Sequence, residues 1–305
     1  MSSPPSVLVV GEPLAELRPR PDGALDLSYS GDALNVAVRL ARGGARVSLA
    51  TAVGADRFSE GLLRRLADEG VSDRWVHRSG GGVLGLYLVE LDGAERRFTY
   101  WRATSEARHL VDALGPDRIA AAAGDHDAVV VSGITLAVLD PPQRGALLDA
   151  LAAATRGGTR VVLDPNVRPA LWESPDEARR WVAGLVSLGP TVLASVEDLD
   201  LLGADAAEWA AQVPELVVTA GDGPTRWWHG GRSGKVEVGR VTASDTTGAG
   251  DAFDAAYVLA RGEGAPVPDA VARGHTAAAD AVSHPGGLRW AGGPDPGGPG
   301  ESGRG

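Results

Sequence analysis

Backbone amides and a carboxylate that could act together meet in one stretch, which runs from Ser244 to Tyr257 and reads SDTTGAGDAFDAAY. Gly248, Ala249 and Gly250 stand just before an apolar run with helical spacing, so we expect them to open a helix. The first N–H groups of a helix lack acceptors inside it, and together with the helix dipole they favour an anion. The stretch therefore predicts an anion hole, with a phosphate group as its natural occupant.

Asp251 follows these glycines directly, where its charge would repel a bound phosphate. A base that takes a hydroxyl proton while the amides hold a transferred phosphoryl group is a chemical reason for this placement. The alternative is an ordinary acid in the first turn of a helix, which is common. For the short string GAGD alone, that alternative is favoured.

Composition and charge exclude several classes of function. The chain has 305 residues, of which 44% are hydrophobic and 23% charged, as in soluble globular proteins, and no apolar run approaches a membrane span. Its net charge of -11 argues against a nucleic-acid or anionic-membrane partner. The start, MSSPPSVLVV, has no basic segment of a signal peptide and the chain has no cysteine, so we expect a cytoplasmic protein. An anionic substrate would need local cations, helix ends or a bound metal ion.

Short apolar runs alternate with helical periods along the chain, which predicts an α/β fold. The series begins with a strand at Val7–Val10 and ends with an Ala-rich helix at Asp269–Ser283. Such alternation implies a parallel sheet covered on both faces, with ligands bound outside the carboxyl ends of the strands. We expect a single domain over residues 1–290 and a disordered Gly/Pro-rich tail over residues 291–305.

Between residues 75 and 102 the spacing changes from helical to alternating, which predicts paired strands inserted between βα units. Together with residues 23–30, they are expected to form a small β lid that stands off the main sheet. The lid strand carries Leu84, Leu86 and Leu88 opposite polar neighbours, and a small sheet cannot easily bury such a row alone. We therefore expect a homodimer in which two lids clasp.

The string DTTGAGDAF resembles the signature of the ribokinase (PfkB-type) sugar kinases, and SGDALNVAVRLARGG is similar to the N-terminal motif of that family. Within the family, GEPLAEL, GLYLVE followed by FTYWR, SGITLAVL and DPNVRPALW resemble the kinases of 2-keto-3-deoxygluconate. The resemblance implies a ribokinase-like three-layer α/β/α sandwich with a mostly parallel central sheet and a small β-sheet lid. It also implies phosphoryl transfer from ATP, with Mg²⁺, to a primary hydroxyl of a small sugar or sugar acid.

The resemblance also implies a role for individual residues. Asp251 would be the base for the acceptor hydroxyl, and the amides of Gly248–Gly250 would be the anion hole. Asp245 and Thr246 would support that loop, near a monovalent cation. Asn35 matches a sugar contact, although it could instead satisfy a helix N-terminus. The full set of positions that match sugar contacts is Gly31, Asn35, Tyr87, Tyr100, Arg102 and Arg168.

Arg102 and Arg168 make chemical sense for a sugar acid, because the planar guanidinium fork matches a carboxylate. In a chain with a net charge of -11 they would form a local cationic pair. Alternatives remain open: Arg168 could pair with Asp164 or Glu173 on the surface, and Arg102 could be a solvated strand residue. The lid tyrosines equally suit packing between alternating strands.

The nucleotide side departs from the family pattern. An Asn-x-x-Glu motif near the phosphates and metal is replaced by SVED, in which Asp198 could still orient a metal-bound water. A Gly-x-x-Gly motif ends in Pro224 here, and an Asn common near the adenine is His275. The positions expected to contact the nucleotide are Ser195, Thr219, Gly221, Gly223, Gly248, Gly250 and His275.

These observations leave three functions open. The first is a kinase of 2-keto-3-deoxygluconate, the second is the same chemistry on a neutral sugar such as fructose, and the third is a catalytically silent relative that binds sugar and regulates a partner. The intact Asp251 argues against a catalytically silent protein, while Pro224 and His275 keep that alternative open. A P-loop enzyme is disfavoured, because GGRSGKVEV lacks the Gly-x(4)-Gly-Lys-Ser/Thr pattern and is more typical of a hairpin turn.

Overall fold

The structure is a computed structural model that describes residues 3–20, 22–92, 95–239, 245–283, 288 and 290. The predicted tail at residues 291–305 and Ser244, the first residue of the glycine-rich stretch, lie outside the described residues. Among the helices of the described residues, none has both the length and the apolar character needed to cross a bilayer.

Strands and helices alternate along most of the chain. The strands are β1 (Ser6–Val10), β2 (Leu14–Pro19), β3 (Leu25–Ser30), β4 (Arg46–Val53), β5 (Val71–Ser72), β6 (Val76–Arg78), β7 (Gly85–Asp92), β8 (Glu95–Trp101), β9 (Ala128–Ser132), β10 (Arg160–Asp164), β11 (Thr191–Ser195), β12 (Glu215–Ala220), β13 (Gly223–His229) and β14 (Arg232–Val236). The helices are α1 (Asp32–Arg42), α2 (Arg57–Asp68), α3 (Leu110–Leu114), α4 (Pro116–Gly124), α5 (Gly133–Val138), α6 (Pro141–Arg156), α7 (Pro175–Val186), α8 (Val196–Leu202), α9 (Ala206–Gln212), α10 (Ala249–Gly262) and α11 (Val267–Val282).

The main sheet is mostly parallel, as predicted. Its strands follow the order β14-β13-β12-β11-β10-β9-β1-β4-β5, and β6 also pairs with β4. The pairs from β12 to β4, and those of β4 with β5 and β6, are parallel, whereas β13 and β14 form an antiparallel edge. The carboxyl ends of β10, β11 and β12 therefore meet at one edge of the sheet.

Both faces of this sheet are covered by helices, which confirms the three-layer α/β/α sandwich. The first strand shows why: Val7 and Val9 are buried in one apolar cluster, with residues of α1, α10 and α11. Leu8 and Val10 point the other way, into a cluster with residues of α4, α6 and α7. A strand buried on both faces has a continuous apolar run rather than an alternating one, and SVLVV is such a run.

A second, four-stranded sheet has the order β3-β2-β7-β8 and is the predicted lid. Its boundaries differ from those expected. The strand β2, which lies at residues 14–19, was not anticipated, because a short segment of mixed apolar and charged residues after a turn gives little strand signal. At the other end, Trp75 is buried in the main core and Leu84 is also buried in the body of the molecule. Leu84 therefore belongs to the core and not to a clasp between lids.

The two faces of the lid differ. Tyr87 is paired with Tyr100 across β7 and β8, and both line the large cavity described below. On the opposite face, which we call the outer lid face, several apolar side chains are exposed or half-buried: Leu17, Leu25, Leu27, Leu88 and Trp101. Trp101 is 54% exposed there, so it points away from the cavity.

A sharp bend joins the lid to the first helix of the body. Gly31 lies between β3 and α1 with a φ of 115°, a backbone conformation that only glycine adopts without strain. A Cβ added to Gly31 would lie 2.7 Å from the carbonyl oxygen of Glu12, so there is no space for a side chain either. The bend places the start of α1 beside the start of α10, where the glycine-rich stretch lies.

Candidate active site

A cavity of about 700 Å³ lies between the lid and the carboxyl edge of the main sheet. One wall is the cavity face of the lid, the floor is the start of α1 and the end of β10, and the far wall includes the ends of β11 and β12 and the start of α10. Most of the predicted site residues line it, namely Gly31, Asn35, Tyr87, Tyr100, Arg102, Arg168, Ser195, Asp198, Thr219, Gly221, Gly248, Ala249, Gly250, Asp251 and His275. Gly223 and Asp245 do not.

The start of α10 has the form expected of an anion hole, with one exception. Gly248 is the N-cap in a left-handed conformation, with a φ of 74°, and the helix begins at Ala249. The Ala249 N–H already donates to the Thr246 carbonyl at 3.3 Å, so the prediction is wrong for this amide. The backbone hydrogen bonds of the described residues do not use the N–H groups of Gly248 or Gly250. These two amides remain for an anion.

Asp251 is buried, with 9% of its surface exposed, and its carboxylate accepts a hydrogen bond of 2.7 Å from Asn35 Nδ2. Asn35 therefore holds the carboxylate, in addition to its backbone N–H bond to Gly31 at 2.8 Å. Desolvation, followed by the charge of Asp32, raises the pKa of Asp251 to about 6, against the opposing influence of Asn35 and of Arg39. A carboxylate with a raised pKa, held at a cavity wall, is suited to accept a proton from a hydroxyl group.

This pKa predicts the pH dependence of the reaction. Only the ionised form of Asp251 can accept a proton, so we expect kcat/KM to fall tenfold per pH unit as the pH decreases below about 6. The measurement is kcat/KM from pH 4.5 to 9, with enzyme stability checked at each pH. An acid limb that persists unchanged after Asp251→Asn would show that another group is responsible for it.

Further carboxylates at the cavity floor were not assigned a role from the sequence. Asp32 opens α1 and accepts a hydrogen bond from the Ser132 hydroxyl. Asp164, at the end of β10, and Asp254, one turn after Asp251 on α10, border the same small void as Asp32. The only sequence signals were the position of Asp32 directly after Gly31 and the strand-ending position of Asp164.

On the lid wall, the Tyr87 hydroxyl donates a hydrogen bond to Glu16. Its ring packs against Tyr100, with ring centroids 5.5 Å apart, and against Phe98 at 6.1 Å. Tyr87 therefore contributes an aromatic face to the cavity, and its packing agrees with the alternative left open by the sequence.

Arg102 also has a protein partner that sequence analysis missed. Its guanidinium forms a salt bridge with Glu12, whose side chain is fully buried. The Glu12 Oε1 and Arg102 Nε atoms are buried without a hydrogen-bond partner among the described residues. Burial raises the pKa of Glu12, and the Arg102 charge counteracts that rise. The interpretation of Arg102 as a solvated strand residue is wrong, and its charge is already neutralised in this structure.

Arg168 differs from Arg102, because its guanidinium has no carboxylate partner among the residues that the structure describes. Its recorded bond is from Nη1 to the Val167 carbonyl at 3.3 Å. The alternative of an ion pair with Asp164 or Glu173 is therefore wrong. Burial raises the pKa values of Asp251 and Tyr100, and the charge of Arg168 opposes both rises, so Arg168 acts across the cavity on the base and on the lid.

At the nucleotide end, Ser195 and Asp198 form a capping box at the start of α8. Ser195 Oγ donates to Asp198 Oδ2 at 2.6 Å, and the Asp198 N–H donates back to Ser195 Oγ at 3.0 Å. Asp198 Oδ1 accepts the Val167 N–H at 2.7 Å. These bonds leave Asp198 one acceptor position for a water, so a direct metal bond there would disrupt the cap.

His275 and Gly221 line the rest of the nucleotide end of the cavity. The His275 Nε2 atom lies 2.8 Å from Thr225 Oγ1, and its ring meets Phe253 edge to face. Burial lowers the pKa of His275, which keeps the ring neutral at physiological pH. Gly221 lines the cavity, whereas Gly223 begins β13 opposite Ala220 and does not. The contact between Gly223 and the nucleotide stays a prediction.

Asp245 supports the loop before α10. It is buried, and its Oδ1 atom accepts the Thr247 N–H at 2.9 Å, while its own N–H donates to the Val282 carbonyl at 3.2 Å. This agrees with the supporting role implied by the resemblance. The described residues contain no group of three acidic or histidine side chains placed to hold a metal ion. The monovalent cation near Asp245 stays a prediction.

A doubly covered parallel sheet, a small lid, and a buried acid beside two helix amides without recorded bonds among the described residues are features expected of a small-molecule phosphotransferase that acts on a hydroxyl group. The family model described as "pfkB family carbohydrate kinase" matches residues 6–289, and the chain belongs to that family. A relative named 2-dehydro-3-deoxygluconokinase, from Dickeya dadantii (strain 3937), is 30% identical over 300 residues, which cover 93% of this chain and 96% of that protein.

Two further comparisons are with fructokinases. Fructokinase-1 of Oryza sativa subsp. japonica is 34% identical over 230 residues, covering 72% of this chain and 69% of that protein. A solved structure of fructokinase with bound ATP, from Xylella fastidiosa, superposes with a TM-score of 0.78 at 26% identity, covering 92% of this chain and 93% of that one. The chain is thus a carbohydrate kinase with relatives that act on either an acid sugar or a neutral sugar.

Proposed function

We propose that the chain is an ATP-dependent kinase of 2-dehydro-3-deoxygluconate, the sugar acid also called 2-keto-3-deoxygluconate. The observation that carries this assignment is Arg168, a guanidinium without a carboxylate partner among the described residues, at a cavity that also contains Asp32, Asp164 and Asp251. A neutral sugar gives such a cation no counter-charge, whereas the carboxylate of a sugar acid can form a forked pair with it.

In the proposed reaction, Arg168 fixes the carboxylate end of the sugar acid and Asp251 faces the primary hydroxyl at its other end. Asp251 accepts the hydroxyl proton as the oxygen attacks the γ-phosphorus, and the bond from that phosphorus to the bridging oxygen of ADP breaks. The N–H groups of Gly248 and Gly250 stabilise the charge of the transferred phosphoryl group. Asn35 keeps the Asp251 carboxylate pointed toward the hydroxyl.

The nucleotide is assigned to the other end of the cavity, which is lined by Ser195, Thr219, Gly221 and His275. The solved structure of a fructokinase with bound ATP supports the choice of ATP as the nucleotide. Mg²⁺ bound to the phosphates would neutralise their charge, and Asp198 can accept a hydrogen bond from one of the metal's waters. A neutral His275 ring beside Phe253 adds an apolar surface for a base.

The test is a coupled assay with Mg-ATP and a panel of 2-keto-3-deoxygluconate, fructose, ribose and nucleosides. We expect turnover to be highest, by kcat/KM, for the keto acid. Turnover of fructose at an equal or higher kcat/KM would favour the fructokinase alternative, which the rice relative supports. No turnover of any acceptor, with sugar binding detected by calorimetry, would favour the silent regulator.

We also propose that the protein is a homodimer joined through the outer lid face, the surface of Leu17, Leu25, Leu27, Leu88 and Trp101. Leu25, Leu27 and Trp101 are 53%, 42% and 54% exposed, so a partner lid would bury a substantial apolar area. We expect a mass of two chains by light scattering at micromolar concentration, and dissociation after Trp101→Arg.

The matched control for this prediction is Leu201→Arg, because Leu201 is 44% exposed on α8, away from the lid. It should leave the mass unchanged. A wild-type protein that is monomeric at micromolar concentration contradicts the proposal, and a Trp101→Arg variant that stays dimeric places the interface elsewhere.

A further inference from the structure

A buried ion pair lies behind the cavity wall, and the proposed reaction does not use it. Arg144 on α6 is 5% exposed and forms a salt bridge with Glu177 on α7, which is 7% exposed. Neither residue lines the cavity. A buried ion pair adds little net stability, because the cost of removing two charges from water offsets their attraction. Its hydrogen bonds nevertheless fix the direction of the groups that they join.

Arg144 closes the end of α5, a helix that contributes to the cavity wall. Its Nε atom donates to the Leu136 carbonyl at 2.7 Å, and its Nη2 atom donates to the Ala137 carbonyl at 3.3 Å. Both carbonyls belong to the last turn of a six-residue helix, where the later N–H groups of the helix cannot reach them. A cation is favoured at this end of a helix. Because Ile134 on α5 lines the cavity, Arg144 fixes one part of the cavity wall.

The Arg168 loop, which we define as residues 165–174, is exposed at its tip and buried on both sides of the tip. Arg168 and the two residues after it are exposed, whereas Val167 and Trp172 are buried. On the first side, the Val167 N–H donates to Asp198 at 2.7 Å. On the second side, the Trp172 N–H donates to the Pro169 carbonyl at 3.2 Å, which closes a short turn. The position of the Arg168 guanidinium therefore depends on both anchors.

The ion pair provides the second anchor of the Arg168 loop. The guanidinium carbon of Arg144 lies 5.0 Å from the centroid of the Trp172 ring and 5.7 Å from that of Trp181 on α7, which is within the range of a cation–π contact. The Oε2 atom of Glu177 accepts the Glu173 N–H at 3.0 Å. The two members of the ion pair thus hold two successive residues of the loop, one through its ring and the other through its backbone.

We propose that Arg144 is a positioning residue, which holds the Arg168 loop against α5 and so sets where the substrate carboxylate binds. The loop and α5 are closely packed, since a Cβ on Gly133 would lie 1.9 Å from the Pro165 carbonyl oxygen. This inference rests on the proposed function, in which Arg168 forms a forked pair with that carboxylate. A forked pair depends on the direction of both planar groups, so loss of the anchor weakens binding of the keto acid and spares the nucleotide.

The first experiment measures the Arg168 loop itself, without substrate. Hydrogen–deuterium exchange is followed by mass spectrometry in the wild type and in the double variant Arg144→Met with Glu177→Gln, which leaves no buried charge unpaired. Peptides from residues 165–174 should exchange at least about tenfold faster in the double variant. Peptides from α2, residues 57–68, are the internal reference and should change less than about twofold. An equal acceleration in both segments, or no acceleration in the loop, would overturn the proposal.

The second experiment uses the two tryptophans that contact Arg144 as a matched pair. Neither indole Nε1 atom has a hydrogen-bond partner among the described residues, so a change to leucine removes a ring from the guanidinium and no recorded hydrogen bond. Only Trp172 belongs to the Arg168 loop. We expect Trp172→Leu to raise the KM for the keto acid at least about tenfold and the KM for ATP less than about threefold. Trp181→Leu should change both values less than about threefold, and equal changes in the two variants would overturn the proposal.

Arg144→Lys is the conservative variant for the same kinetic comparison. Lysine retains the charge beside Glu177 but lacks the planar fork, so its KM for the keto acid should lie between those of the wild type and the double variant. The kcat of all three proteins should agree within about threefold, because Asp251 and the helix amides are unchanged. A wild-type KM for the keto acid in the double variant, or a decrease in kcat larger than the rise in KM, would overturn the positioning role.

The exchange and kinetic measurements separate this inference from the proposed function. If the keto acid is not a substrate of the wild type, the proposed function fails, and the exchange rates still decide whether Arg144 holds the Arg168 loop. If the double variant does not fold, Arg144→Lys replaces it in the exchange experiment, with an acceleration of at least about threefold in the loop as the criterion. If the wild type uses the keto acid and the loop exchanges faster without any change in KM, the proposed function stands and the positioning role is wrong.

Discussion

Asp251→Asn should reduce kcat by at least about 100-fold with little change in the KM for ATP. The amide cannot accept the hydroxyl proton, although it has the same shape and its oxygen can still accept the bond from Asn35 Nδ2. The fold should at the same time become more stable. A buried acid whose pKa is raised to about 6 destabilises the folded state increasingly as the pH rises from about 4 through 6, and the substitution removes that penalty, up to about 3 kcal/mol at pH 8.

Opposite changes in activity and stability distinguish a base from a structural acid. The matched control is Asp269→Asn, because Asp269 is an exposed acid in the first turn of α11. It should lower stability by less than about 1 kcal/mol and leave kcat unchanged. If Asp251→Asn retained more than a tenth of the wild-type kcat, Asp251 would be an ordinary first-turn acid, and the proposed mechanism would lose its base.

Arg168→Ala should reduce kcat/KM for 2-keto-3-deoxygluconate by about 100-fold and for fructose by less than about threefold. The larger loss corresponds to a charge-assisted hydrogen-bonded pair of about 2 to 3 kcal/mol, which a sugar without a carboxylate never forms. Arg168 is a cleaner test than Arg102, because removal of Arg102 would leave the buried Glu12 without its partner and so destabilise the fold. The measurement is kcat/KM for both sugars under the same conditions.

The control for this prediction is Arg156→Ala, at the end of α6. Arg156 is exposed and does not line the cavity, so both kcat/KM values should stay at the wild-type level. Equal losses on the keto acid and on fructose in Arg168→Ala would demote Arg168 to a structural role and would weaken the assignment of an acid substrate.

Much of the fold and part of the site were predictable from the sequence for local reasons. A strand buried on both faces must be apolar throughout, so SVLVV and the later runs predicted the parallel sheet. A helix that begins with glycines has its own signature, so the start of α10 and the position of Asp251 followed from the DTTGAGDAF string. The bend at Gly31 also has a local cause, since its φ of 115° suits glycine alone.

The partners of the site residues were not predictable, because they come from distant parts of the chain. The Glu12–Arg102 salt bridge joins residues 90 positions apart, and the Tyr87–Glu16 bond joins residues 71 apart. Neither contact has a spacing that a sequence pattern can reveal. For the same reason, the sequence did not indicate that Asp254 on α10 borders the same small void as Asp164 at the end of β10.

The concentration of acids at the cavity floor has a consequence for turnover as a whole. In the proposed reaction, phosphorylation would convert a singly charged sugar acid into one with a carboxylate and a phosphate, while Asp32, Asp164, Asp251 and Asp254 all line the cavity. Once the proton accepted by Asp251 has left, the newly formed ester meets repulsion that the incoming alcohol did not. Departure of the product is thereby favoured over its retention, so inhibition by accumulated sugar phosphate should be weak.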